Sequence, residues 1–160
     1  MLEKKCLPIS ASWFCEYMTT QMNSAKAITD AVDIKNMSQS KSAVNQLAQL
    51  LNSMQTMCER FKSNNILFKD KKIKFEQHIK RVMAVLSGWY YYLLTPFANT
   101  TQQKILLIQK SGECILTARY QLKQQPALLN WVNNLDNMIS IEIKKLAKRA
   151  KKKLEIIACQ

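Results

Sequence analysis

The residues in this sequence with the clearest capacity for chemistry are cations near its end. Seven of the ten residues from Lys144 to Lys153 are basic. Ammonium and guanidinium groups attract carboxylates and phosphates, so acidic proteins, nucleic acids and anionic membranes are the ligand classes to consider. The candidate binding residues of this cluster are Lys144, Lys145, Lys148, Arg149, Lys151, Lys152 and Lys153.

A second basic cluster lies between Lys62 and Arg81, where seven basic residues accompany Asp70 and Glu76. The two clusters, with Glu142 and Glu155 flanking the C-terminal one, contribute 14 minus 4, or +10, to a formal net charge of +13. The charge is therefore concentrated. Within a helix these residues scatter in angle and form no single cationic face. The candidate binding residues here are Lys69, Lys71, Lys72 and Lys74.

The composition of these clusters ranks the ligand classes. The chain has 20 lysines and only 4 arginines. Arginine binds bases and phosphates better than lysine does, because its planar guanidinium group donates two hydrogen bonds side by side. The C-terminal cluster has no aromatic residue for base stacking or for anchoring in a membrane. An acidic protein partner is therefore our first expectation, nucleic acid is the alternative, and a membrane surface follows. The competing interpretation is that the basic residues form a solvated face that binds nothing. No feature of the sequence indicates an oligomeric state.

Four consecutive aromatic residues, Trp89 to Tyr92, form the other unusual feature. On a helix they point in all directions, and only Trp89 and Tyr90 fit the expected apolar face. Two interpretations stay open: packing within the protein, or an aromatic interface formed by Trp89, Tyr91 and Tyr92, because amphipathic aromatics are common interface anchors.

Catalytic and metal-binding patterns are absent from the sequence. His78 is the only histidine, no HExxH or GxSxG motif occurs, and two glycines cannot build a phosphate-binding loop. Asp30 and Asp33 have no partner acids beside them. We therefore expect no enzyme activity, no metal and no cofactor.

The cysteines and the apolar segments indicate the cellular compartment in which the protein is expected. The five cysteines are odd in number and widely spaced, which favours reduced thiols. No apolar signal segment follows Lys4 and Lys5, and Pro96 interrupts the uncharged stretch 82–98 before it could span a bilayer. We expect a cytoplasmic protein.

Scarcity of turn residues indicates the fold that positions these groups. With 2 glycines and 3 prolines, hairpins are disfavoured, and apolar residues recur at steps of three and four. The sequence predicts a single all-α domain over residues 1–160, an up-and-down bundle of about five helices. The predicted helices span about 10–34, 40–62, 70–94, 100–125 and 126–157. The predicted caps are Ser10, Asp70 and either Asn99 or Thr100, and Thr100 with Gln103 matches a capping box.

Both glycines lie within predicted helices. Gly112 continues the apolar stripe of helix four, Ile105, Ile108, Ile115 and Leu122, which predicts a close helix approach there.

The last predicted helix is long, amphipathic and basic. Its apolar stripe continues through the lysine cluster, so two arrangements stay open: the bundle covers the stripe along its whole length, or the last turns protrude. The stripe consists of Ile139, Ile143, Leu146, Ala147, Ala150, Leu154 and Ile157. These features predict a small, basic, non-enzymatic interaction module (an adaptor, inhibitor or assembly subunit) that docks an acidic partner. The alternative is a nucleic-acid-binding subunit whose lysines contact phosphates.

Overall fold

Five α-helices pack into an up-and-down bundle, as the sequence predicts. The structure is a computed structural model that describes residues 11–64, 72–119 and 126–158. The helices are α1 (Ala11–Ala31), α2 (Met37–Asn64), α3 (Lys72–Leu94), α4 (Thr101–Arg119) and α5 (Pro126–Ala158), with a short 3₁₀ helix at Thr95–Phe97. No strand occurs in this part of the chain. None of the described helices is both long and apolar enough to cross a membrane.

Helix α2 begins three residues earlier than the apolar pattern predicts, because Asn36 caps it. The Asn36 side-chain oxygen accepts hydrogen bonds from the Ser38 N–H (3.1 Å) and the Gln39 N–H (3.3 Å). An asparagine at this position satisfies backbone donors that the first turn of a helix leaves unpaired. The polar run 36–40 is therefore mostly helix rather than the predicted loop.

The turn between α3 and α4 follows the prediction closely. Pro96 lies in the 3₁₀ helix that ends α3. The Gln103 N–H donates to Thr100 Oγ1 (3.1 Å), and the Gln103 side chain accepts from the Asn99 N–H (2.9 Å). These two hydrogen bonds cap the start of α4. After the turn, α4 packs antiparallel to α3. The predicted caps at Ser10 and Asp70 lie outside the described residues.

Helix α3 is the centre of the bundle, since it contacts all four other helices. A helix with neighbours on several sides buries more than one face. Consecutive aromatics can therefore pack inside, and the core includes residues that a single apolar face would leave out. Among the described side chains of α3, the buried hydrophobic ones are Val82, Val85, Leu86, Trp89, Tyr92 and Leu93.

This burial corrects the predicted aromatic interface. Trp89 is 3% exposed and Tyr92 is 4% exposed, so neither side chain is available to a partner. Packing within the bundle is the correct interpretation for both. Tyr91 is half-buried, and its ring lies under the ammonium group of Lys110, 5.5 Å from the ring centre.

Two tryptophans connect three helices. Trp89 stacks on Trp131 of α5, with ring centres 6.3 Å apart and planes 21° apart. The Trp131 indole N–H donates to the hydroxyl of Thr29 in α1 at 2.9 Å. The buried Trp89 N–H has no hydrogen-bond partner among the described residues. A buried unpaired donor costs about 1–3 kcal/mol, which the packing of this large ring must offset.

Close approach of helices occurs at Gly88 rather than at Gly112. The Ser111 hydroxyl of α4 donates to the Gly88 carbonyl at 2.7 Å, and a Cβ on Gly88 would lie 3.1 Å from Leu135 Cδ2. A Cβ on Gly112 would meet nothing within 4 Å, so the predicted approach there is wrong. The buried face of α4 is turned away from Ile105 and consists of Ile108, Ser111, Ile115 and Ala118.

Candidate docking surface on the C-terminal helix

The first half of α5 anchors the helix in the bundle. Pro126 lies at the start, where its missing N–H removes no helical hydrogen bond. Four residues at helical spacing are then buried: Trp131, Val132, Leu135 and Ile139. Arg119, at the end of α4, binds this half from outside, with Nη1 3.2 Å from Asp136 and Nη2 3.2 Å from Asn133.

Glu142 marks the end of the anchored half. One carboxylate oxygen lies 3.2 Å from Lys104 Nζ in the first turn of α4, and the other lies 3.7 Å from Lys145 Nζ. The negative charge of this carboxylate also acts on the hydroxyl group of Tyr92 in α3. Burial, and then the negative charge of Glu142, raise the pKa of Tyr92 to about 12. Three helices therefore meet around one glutamate.

Beyond Glu142 the bundle stops covering α5. The apolar stripe changes from 4% exposed at Ile139 to 51% exposed at Ile143, and Leu146 is the last described side chain that packs on the core. Every residue from Ala147 to Lys153 is exposed. At about 100° per residue these seven consecutive positions turn through more than a full circle, so none of the described elements covers a side of the helix here.

The structure thus decides between the two arrangements that the sequence left open. The last turns of α5 protrude, at least over residues 147–153, which we call the projecting segment. The bundle ends near Glu142 because α4 begins at Thr101 and α3 ends at Leu94, whereas α5 continues to Ala158.

All seven predicted cations of the C-terminal cluster are exposed on this part of α5. Lys145 is the one of these seven cations whose ammonium group lies within ion-pair distance of a described carboxylate, that of Glu142. The other six have no carboxylate within ion-pair distance among the described residues: Lys144, Lys148, Arg149, Lys151, Lys152 and Lys153.

Like charges also repel one another along this helix. The pairs Lys144–Lys148, Lys148–Lys152, Lys145–Arg149 and Arg149–Lys153 are four residues apart. Each such pair costs a few tenths of a kcal/mol, roughly 0.2–0.5. Cations near a helix C-terminus interact favourably with the helix dipole, which offsets part of this repulsion.

The part of the second basic cluster that the structure describes lies away from this surface. Lys69 and Lys71 lie outside the described residues, and Lys72 and Lys74 lie in the first turn of α3. Gly88 is beside Leu135 and Tyr92 is near Glu142, so α3 and α5 run in the same direction. The start of α3 and the projecting segment are therefore at opposite ends of the bundle.

A cleft of about 570 Å³ between α2, α3 and α4 is the other place where reactive groups meet. Its lining includes Cys58 and Cys114, with Glu59, Glu113 and Lys80. Burial, and then the charge of Glu113, raise the pKa of the Cys114 thiol, so the unreactive thiol form is favoured. The described residues contain no group of three or more histidine, cysteine or acidic side chains that could hold a metal ion.

No protein-family model matches this chain, and no curated protein or solved structure matches it either. Its function must therefore be argued from the geometry of its own residues.

Proposed function

We propose that this protein is a small non-enzymatic interaction module that docks an acidic protein partner through the projecting segment of α5. The observation that carries the proposal is the helix that continues beyond the bundle, with residues 147–153 all exposed and with cations that have no acidic partner among the described residues. Lysines that form a solvated face typically lie on a helix whose other face packs against the core. Here that other face, Ala147 and Ala150, is exposed as well.

Repulsion along the segment supports an acidic partner. The like-charge pairs on α5 destabilise its end, and no packing within the bundle compensates for this between residues 147 and 153. Carboxylates from a partner would convert that repulsion into attraction. Complementary charges of this kind increase association rates and partner specificity more than they increase final affinity.

The residue types favour protein over the other polyanions. Arg149 is the only arginine of the seven cations, and no aromatic residue lies between Lys144 and Lys153. Nucleic-acid grooves for single strands combine cations with stacking aromatics. Helices that lie on membranes often carry tryptophan or phenylalanine on the apolar side, whereas the apolar stripe of this part of α5 consists of isoleucine, leucine and alanine.

The environment of Cys114 agrees with the non-enzymatic role that we propose. The raised pKa of Cys114 disfavours its thiolate. Cys58 and Cys114 form no disulfide, which supports the reducing compartment, the cytoplasm, that we propose for this protein.

A binding panel with matched variants tests the proposal. The probes are a labelled polyglutamate chain, a mixed-sequence DNA duplex, a DNA single strand and vesicles of anionic lipid, titrated at several salt concentrations. One variant carries Lys148→Glu, Lys151→Glu and Lys152→Glu. The control carries Lys35→Glu, Lys41→Glu and Lys80→Glu, three exposed lysines of α2, α3 and the α1–α2 turn. Each triple exchange lowers the formal net charge from +13 to +7.

We expect polyglutamate to bind the wild type, and the α5 variant to lose about tenfold or more of that affinity, with the control within roughly threefold. Equal losses in the two variants would assign binding to net charge and contradict a site on α5. Tighter binding of duplex or single strand than of polyglutamate at the same salt would replace our proposal with the nucleic-acid alternative.

A further inference from the structure

The apolar residues in the sequence of the last turns of α5 have heptad spacing. Ile143, Ala147, Ala150, Leu154 and Ile157 follow one another at steps of four, three, four and three. This alternation is the pattern of the a and d positions in a coiled coil. Among the described side chains of this pattern, Ile143, Ala147 and Ala150 are all exposed. We call these three exposed residues the seam.

Lysines occupy the positions on both sides of the seam. With Ala147 at a and Ala150 at d, Lys144 and Lys151 fall at e, and Lys153 falls at g. Residues at e and g face the partner helix in a coiled coil and determine which partner is accepted. The remaining cations, Lys148 and Lys152 among them, fall at the outward b, c and f positions.

This arrangement disfavours a second copy of the chain as the partner. In an antiparallel pair of identical helices, e faces e, so Lys144 and Lys151 of one copy would meet the same lysines of the other. In a parallel pair, Lys151 would lie beside Leu146 of the other copy, and repulsion would come from two sets of seven cations on adjacent helices. Like charges across an interface cost free energy and select against the pairing.

We propose that the seam binds an acidic amphipathic α-helix as a two-stranded coiled coil. Glutamates at the e and g positions of that helix pair with Lys144, Lys151 and Lys153. Because two seam positions are alanine, the helix axes can approach closely, and large side chains of the partner fill the space above the methyl groups. This inference rests on the proposed function and specifies which kind of acidic segment satisfies it.

Two synthetic peptides separate a helical seam from simple charge attraction. The first has leucine at a and d and glutamate at e and g, over about three heptads. The second has the same composition in scrambled order. Binding is measured by fluorescence anisotropy, and helix formation by circular dichroism of the mixture. We expect the heptad peptide to bind at least about tenfold more tightly than the scrambled one and to gain helicity on binding.

Two pairs of exchanges test the register with equal charge. Lys151→Glu with Lys153→Glu reverses the flanks of the seam, and Lys148→Glu with Lys152→Glu reverses two outward positions. We expect the flank exchange to weaken binding of the heptad peptide by about tenfold more than the outward exchange. Ala147→Asn with Ala150→Asn, which changes no charge, is expected to weaken it as well. Circular dichroism of each variant alone verifies that α5 still forms.

Equal binding of the heptad and scrambled peptides would overturn the seam and leave acidic docking in place. Failure of both peptides, and of polyglutamate, would overturn the proposed function itself. Self-association of the wild-type chain through Ala147 and Ala150, detected by analytical ultracentrifugation and lost in the asparagine variant, would also contradict the inference.

Discussion

Single residues of this protein connect the core to the docking surface, and Glu142 is the clearest case. Its carboxylate pairs with Lys104 and Lys145 and also influences the hydroxyl of Tyr92. The side chain is 17% exposed, so its charge is only partly screened by water. The position where the bundle ends is thus also the position where α3, α4 and α5 are held together electrostatically.

The shifted pKa of Tyr92 predicts a loss of stability at high pH. The pKa of Tyr92 lies at about 12 in the folded chain, whereas the ordinary value for tyrosine, 10.0, applies to the unfolded chain. The folded state therefore holds this proton more tightly, and the stabilisation is complete below pH 10 and is lost as the pH rises toward 12. The expected loss is on the order of 1 kcal/mol, because Glu142 is partly screened.

Urea unfolding at a series of alkaline pH values measures this effect. Tyr92→Phe should lose free energy of unfolding less steeply over this range than the wild type does, and Tyr91→Phe is the control for removing a tyrosine hydroxyl. If the wild type and Tyr92→Phe decline in parallel, Tyr92 is not the group responsible.

Residue-level burial was the part of the fold least accessible from sequence. The apolar pattern placed Ile105 and Gly112 inside, yet Ile105 is exposed and the polar Ser111 is buried. Ser111 is tolerated there because its hydroxyl donates to the Gly88 carbonyl across the helix pair. Such a partner lies 23 residues away in the chain, and no local periodicity reveals it.

At the scale of the helices, α3 and α4 approach closely at Gly88. Neighbouring side chains occupy the space that a side chain on this residue would need. Leu135 Cδ2 and Cys114 Cβ would lie 3.1 Å and 3.4 Å from a Cβ at Gly88. Helix ends were more predictable than helix neighbours. Pro96, Pro126 and the Thr100–Gln103 cap are local signals, and the start of α2 differed only because Asn36 was not assigned as a cap.

The two glycines should respond oppositely to substitution. Gly112→Ala should stabilise the protein by about 0.5–1 kcal/mol, because alanine favours the helix and the added methyl group meets no atom. Gly88→Ala should destabilise it by about 1 kcal/mol, because Leu135 is fully buried and has little room to move.

Thermal and urea unfolding of the two variants compare them directly. A Gly88→Ala protein as stable as Gly112→Ala would show that Leu135 repacks without cost. A Gly112→Ala protein that is less stable than the wild type would contradict the open surroundings of that position.

At the scale of the whole molecule, the bundle and the projecting segment are separable. A chain that ends after Leu146 should unfold with a free energy within about 1 kcal/mol of the full chain, because every described side chain after Leu146 is exposed. Leu135→Ala, in a fully buried position, should cost about 2–5 kcal/mol and shows that the assay detects lost packing. A truncation that costs as much as Leu135→Ala would mean that the end of α5 contributes to the core.

The sequence predicted the cationic face of α5 but could not predict that the segment projects. Amphipathic spacing places lysines opposite Ile143, Ala147 and Ala150 whatever surrounds the helix. Whether those three residues are covered depends on where α3 ends and α4 begins, which are properties of other parts of the chain. The position of the start of α3 at the end of the bundle opposite the projecting segment depends likewise on the shared direction of α3 and α5.

The geometry of α5 predicts how fast the acidic partner that we propose would arrive. Lys153 lies eleven residues beyond Glu142, about 16 Å along the helix axis. At physiological ionic strength the field of a charge decays over about 8 Å, so the tip acts independently of the bundle. An approaching polyanion meets this potential first and from any direction around the axis, before it can be oriented by the bundle surface. The projecting helix thereby enlarges the target for productive encounters, and salt should slow association more than it hastens dissociation.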